Sequence, residues 1–155
     1  MSSEKLINII KEISIKEGPN NIRRYNFELV ERVILRLESL SERIECKECK
    51  YFFYEFDSVL EDLKVNFHKY PNSSYKLLMK KVLLHLEKSH KLITPGHYAN
   101  TYMTVGIALG LPFGAILSFL GQSQHIGIGL PIGIGLGLLV GSSFDKKAKN
   151  ADLII

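Results

Sequence analysis

Residues 102–144 contain no aspartate, glutamate, lysine or arginine, and they hold most of the twelve glycines in this 155-residue chain. At about 1.5 Å of rise per residue, a helix of about 20 residues crosses a hydrocarbon core about 30 Å thick. Segments 102–120 and 126–144 each come close to that length. The polar Gly121-Gln122-Ser123-Gln124-His125 between them suits a tight turn. The stretch therefore reads as a membrane-embedded helical hairpin.

Its two halves repeat one another. Leu109-Gly110-Leu111-Pro112-Phe113-Gly114 aligns with Ile128-Gly129-Leu130-Pro131-Ile132-Gly133, the pattern of an inverted repeat in miniature. Gly106, Gly110 and Gly114 are spaced by four, as are Gly129, Gly133, Gly137 and Gly141. Residues four apart share a helix face, so each span carries a groove without side chains. In lipid, where helices gain nothing from hiding apolar surface, such grooves let backbones touch. Gly127 and Gly135 lie on roughly the opposite face of the second span, which leaves a surface for another copy of the chain. A homo-oligomer is expected. Pro112 and Pro131 each remove a backbone donor and are expected to kink their helices.

Two other readings of this stretch compete. From 126 to 138 glycine alternates with aliphatic residues, which is also a strand pattern. Open strands, however, leave backbone groups unpaired in lipid. A buried hairpin in a soluble fold is the other reading. It would have to absorb about 1 kcal/mol for each glycine relative to alanine.

Charge gives the orientation. The formal net charge is +4 and the isoelectric point about 9.0. Lys76, Lys80, Lys81, Lys88 and Lys91 precede the first span, and Lys146, Lys147 and Lys149 follow the second, while the loop between has no cation. The positive-inside rule then puts both termini in the cytoplasm, with Tyr98 and Tyr102 at the interface. The opening MSSEKLINIIKEIS interrupts its apolar residues with charge and lacks a secretory h-region. Attraction to anionic headgroups accounts for the lysines, and no helix-turn-helix or aromatic–basic module points to nucleic acid.

Before the hairpin the sequence predicts an all-α cytosolic bundle of about four helices over 1–95, followed by the hairpin over 96–144 and a basic cytosolic tail over 145–155. Ser2 or Ser3 caps a first helix with the stripe Leu6, Ile9, Ile10 and Ile13, and Gly18-Pro19 stops it. Asn26 is expected to cap a second helix carrying Val30, Val33, Ile34, Leu37, Leu40 and Ile44, with Tyr25 stapled to Val30. A third runs from the cysteines to about Lys69 through Phe52, Phe53, Phe56, Val59, Leu60, Leu63 and Phe67. Pro71-Asn72-Ser73 turns the chain, and a fourth runs from about Ser74 to Leu92 through Leu78, Met79, Val82, Leu83 and Leu86. Short connections favour antiparallel neighbours.

One constellation could carry chemistry. Cys46-Lys47-Glu48-Cys49 is a CxxC pair, and His85, His90 and His97 follow downstream. A turn centred near residue 71 sets Cys49 opposite Leu92 and Cys46 opposite Gly96, so the histidines gather at the cysteine end. Two thiolates and two imidazoles can complete a tetrahedral Zn2+ site in a domain with a small core. Two cysteines in a cytosolic chain argue against a disulfide framework. Thiol redox sensing, favoured by a helix N-terminus and nearby lysines, is the alternative. Ordinary residues at a helix start are the third reading. Glu42, Glu45 and Glu48 read as a solvated face. No serine has His and Asp partners at a recognisable spacing, so no enzyme is expected and no catalytic residue is assigned.

The glycine rows resemble those of glycine-zipper membrane-hairpin proteins, a group that includes channel, holin-like and toxin-like proteins. The resemblance covers the last third of the chain and implies a mode of helix packing. In plan the chain is also similar to small uncharacterised bacterial membrane proteins with a helical cytosolic domain before such a hairpin, which implies a bacterial inner membrane as its location. Two functions follow as expectations. One is a small membrane protein that self-associates through its hairpin, forming or perturbing a pore, under the control of its cytosolic domain. The other is a passive anchor holding a zinc-binding or protein-binding helical domain, with a cytosolic protein as partner.

Overall fold

The computed structural model describes residues 2–69, 72–120 and 126–155, apart from the side chains at 20, 21, 72, 117, 120 and 126–128. Pro71 of the expected turn and the loop 121–125 lie outside the described residues. Within them the chain is all-α: α1 (Ser3–Ile22), α2 (Phe27–Arg43), α3 (Lys47–Asn66), α4 (Asn72–His90), α5 (His97–Leu120) and α6 (Ile126–Asn150), with a 3-10 turn at Arg23–Tyr25. The glycine–aliphatic alternation at 126–138 is helix, which removes the strand reading. The chain divides into two compact units. The first is Met1–His90 with Ile155, the second Lys91–Ile154.

In the first unit, the Ser2 hydroxyl accepts the Glu4 amide at 3.1 Å and opens α1, whose stripe Leu6, Ile9, Ile10 and Ile13 is buried. Gly18 takes φ +76°, a left-handed backbone that only glycine adopts freely. The helix breaks there and resumes from Pro19. Asn26 does sit at the N-cap of α2, but in a left-handed backbone (φ 47°), and its side chain makes no cap hydrogen bond. A side-chain cap needs the extended backbone that Ser2 has. Val30, Val33, Ile34 and Leu37 are buried as their spacing predicts. Ile44 falls beyond the last turn and is exposed.

Phe53, Phe56, Leu60 and Leu63 of α3 and Leu78, Met79, Val82 and Leu86 of α4 complete the core. Tyr25 lies between Phe27, Phe67 and Tyr75 at 4.9–5.7 Å between ring centroids, and the buried Tyr75 hydroxyl donates to the Tyr25 carbonyl. Sequence pattern alone did not single out Tyr75. Exposed ion pairs such as Lys5 with Asp57 (2.9 Å) and Glu61 (3.1 Å) link α1 to α3. Such surface pairs contribute little.

In the second unit, Thr94–His97 forms a turn with Gly96 at φ +75°, and the His97 amide donates to the Thr94 carbonyl at 3.1 Å. α5 and α6 pack antiparallel along both glycine rows. A Cβ added at Gly110 would lie 2.5 Å from the Gly129 carbonyl oxygen, and one at Gly129 would lie 2.6 Å from the Gly114 Cα. One at Gly133 would strike the Gly106 carbonyl, one at Gly137 the Tyr102 carbonyl, and one at Gly141 the Ala99 Cα. A Cβ added at Gly135, on the outer side, would meet nothing within 4 Å among the described residues beyond its own helix backbone. Pro112 and Pro131 sit exposed within helices that continue through them.

Large apolar side chains point the other way: Leu109, Phe113, Ile116, Leu136 and Leu139 are all exposed. Among the described residues one helical stretch, His97–Ile116, is long and apolar enough to cross a membrane.

α6 also continues through Asn150, so the charged residues expected in a separate tail ride on the helix. There the Asp145 carboxylate accepts the Tyr98 and Ala99 amides, each at 3.0 Å, and so caps α5 from its neighbour. Phe144 stacks on Tyr102 (5.3 Å), and the Lys147 ammonium lies 5.5 Å from its ring centre.

Candidate metal centre

Four residues of the first unit converge. Cys46 is the N-cap of α3 and Cys49 lies one turn in. His85 sits in the last third of α4, and His90 is the last residue of that helix. The Cys46 sulfur lies 3.5 Å from His85 Nε2, and the Cys49 sulfur lies 3.4 Å from His85 Nε2 and 3.3 Å from His90 Nε2. All four donor atoms fall within 4.8 Å of one another, a grouping that can hold a metal ion.

Local structure explains the convergence. The extended backbone of Cys46 turns its sulfur back over the first turn of α3, where it accepts the Cys49 amide at 3.5 Å. α3 ends at Asn66 and α4 begins at Asn72. The connection is thus centred nearer residue 69 than 71, which brings Cys49 level with Ser89 and within reach of His90 instead of Leu92. His85 and His90 are five apart, an awkward offset on one helix face. His90 reaches the site from the terminal position, and the two rings meet edge to face at 5.2 Å.

The environment is graded. Cys49 is buried and Cys46 partly exposed. Burial, reinforced by the neighbouring Cys46 sulfur and the Glu48 charge, pushes the Cys49 thiol up to about 12. Burial, with the His85 ring beside it, holds the His90 imidazole below its ordinary value, in the neutral form a metal needs.

Glu48 completes the arrangement. Its carboxylate Oε2 lies 2.6 Å from His85 Nδ1, with the Ser89 hydroxyl 3.4 Å from the same nitrogen. A carboxylate there fixes the proton on Nδ1 and aims the Nε2 lone pair at the sulfurs. Sequence reasoning left Glu48 on a solvated face. Its position inside the CxxC was the available signal.

His97 is not in this cluster. It opens α5 in the second unit, seven residues past the end of α4, and its ring packs on Tyr98 at 5.4 Å. His68 pairs with Glu17 at 3.1 Å, away from the four donors. No family model, no curated protein and no solved structure matches the chain.

Proposed function

We propose that this chain is a membrane-anchored helical domain stapled by a structural zinc ion, with Cys46, Cys49, His85 and His90 as its ligands. One observation carries the reading: two sulfurs and two imidazole nitrogens gathered within 4.8 Å, with a carboxylate behind one imidazole. Tetrahedral zinc with Zn–S of about 2.3 Å and Zn–N of about 2.0–2.1 Å sets sulfur and nitrogen ligands about 3.5 Å apart. The sulfur–nitrogen distances of 3.3–3.5 Å match that edge. Mixed S2N2 tetrahedral donors favour zinc over hard cations. Such an ion would tie the start of α3 to the end of α4, where both helices would otherwise fray.

The hairpin supports the membrane location. Glycine inward and leucine outward is the reverse of a water-soluble helix pair and suits lipid. A second reading, self-association of copies in the membrane to form or perturb a pore, keeps one supporting feature. The two glycine rows are occupied by each other within one chain, so association would run through the outer face that bears Gly135.

Full-length protein purified from membranes should carry about one zinc per chain. Equal metal in the Cys46→Ser/Cys49→Ser variant contradicts the zinc staple. Full-length chain that is freely dissolved and monomeric without detergent contradicts the anchor.

A further inference from the structure

The two sulfurs of the cluster differ in access while lying on one helical turn. Cys46 is partly exposed at the helix end, and Cys49 is fully buried beneath it. Cys46 is the N-cap and Cys49 the third residue of α3, and their sulfurs lie within 4.8 Å of one another, on neighbouring positions of the kind a disulfide can span. The Cys46 sulfur is already folded back towards Cys49, close enough to accept its amide. Closing an S–S bond therefore needs side-chain rotation alone.

We propose, resting on the zinc reading above, that the site is a two-electron thiol switch: a peroxide-class oxidant joins Cys46 to Cys49 and expels the metal. The accessible Cys46 thiolate attacks one peroxide oxygen, the O–O bond breaks, and hydroxide leaves as water after taking a proton. Cys46 is then a sulfenic acid. Cys49, held as the thiolate by the zinc, attacks that sulfur, the S–O bond breaks, and a second hydroxide leaves as water with a second proton. The two sulfurs have lost two electrons, hydrogen peroxide has become two waters, and the zinc departs as Zn2+.

Exposure assigns the roles. Cys46 meets the oxidant and Cys49 resolves it before over-oxidation. Both sulfur ligands belong to the one CxxC, so a single bond removes half the donor set, and His85 and His90 alone do not hold structural zinc. The end of α4 at His90 then loses its tie to α3, and a reductant with zinc restores it.

The experiment treats full-length, zinc-loaded protein in detergent with hydrogen peroxide. It follows zinc with a chromophoric chelator and sulfur chemistry by peptide mass after alkylation. The expected result is loss of about one zinc for each Cys46–Cys49 disulfide formed, reversed by dithiothreitol and added zinc. Zinc retained with both thiols intact overturns the switch. So does zinc lost with Cys46 carried to sulfinic acid and no disulfide. Protein that holds no zinc before peroxide is added contradicts the zinc reading instead. In that case there is no metal for a disulfide to expel, and the switch falls with that reading.

Discussion

Glu48 and His85 meet as carboxylate and imidazole, Oε2 to Nδ1 at 2.6 Å, joining the first turn of α3 to α4. The ring is buried, with its side chain 8% exposed, while the carboxylate is 72% exposed. The contact therefore orients more than it stabilises. A carboxylate behind a ligating histidine typically changes metal affinity by about 10–100-fold. Solvent around Glu48 places it at the low end. Glu48→Gln should weaken zinc binding about tenfold in competition with a chelator, with the helical content unchanged. Wild-type affinity in this variant would show that His85 needs no such partner.

The inner and outer glycines of the hairpin should respond in opposite ways. Gly133→Ala drives a Cβ into the Gly106 carbonyl and within 3.0 Å of the Gly110 Cα, and both obstacles are backbone. Overpacking of this kind costs about 1–3 kcal/mol, read as a lower unfolding midpoint in detergent. Gly135→Ala meets open space. It should be neutral or stabilising by up to about 1 kcal/mol through helix propensity. Equal effects at the two positions would mean that the rows do not form the interface.

Asp145 caps α5 from α6. Asp145→Ala leaves the Tyr98 and Ala99 amides without their acceptor and should cost about 1–2 kcal/mol. Hydrogen exchange at those two amides should quicken, while Asp145→Asn retains part of the protection. Unchanged exchange in the alanine variant would remove the cap from the account.

Tyr75 predicts an alkaline limit to stability. Burial raises its hydroxyl above the ordinary tyrosine value, since the charged form cannot be solvated beneath the core. A folded value above the unfolded one gives a contribution that is complete below pH of about 10 and lost as pH climbs towards the folded value. Tyr75→Phe should lack this alkaline loss. At neutral pH it should cost about 1–3 kcal/mol, because the Tyr25 carbonyl is left unpaired. Denaturant unfolding across the pH range checks both. A parallel alkaline decline in the two proteins would assign the limit to another group.

Periodicity placed the buried stripes of α1 to α4 well, because Leu6, Val33, Phe56 and Val82 recur at helical spacing and each faces a core. It failed where tertiary geometry decides. The left-handed backbone of Asn26 forfeits its cap, and the exposure of Ile44 follows from where α2 stops. Of the five metal candidates, the structure gathers four. His97 belongs to the second unit, past the end of α4, where the register between α3 and α4 no longer applies. Glu48 is solvated as its charged run predicts, but its imidazole partner stands 37 positions on, where no sequence spacing points to it. Asp145 is the same lesson in the second unit: it stands 46 and 47 positions from the amides it caps.

Zinc-edge X-ray absorption on the purified full-length chain tests the central claim most directly. The account predicts a first shell of two sulfurs at about 2.3 Å and two nitrogens at about 2.0–2.1 Å. A shell of nitrogen and oxygen alone, or one sulfur with exchangeable water, would contradict it.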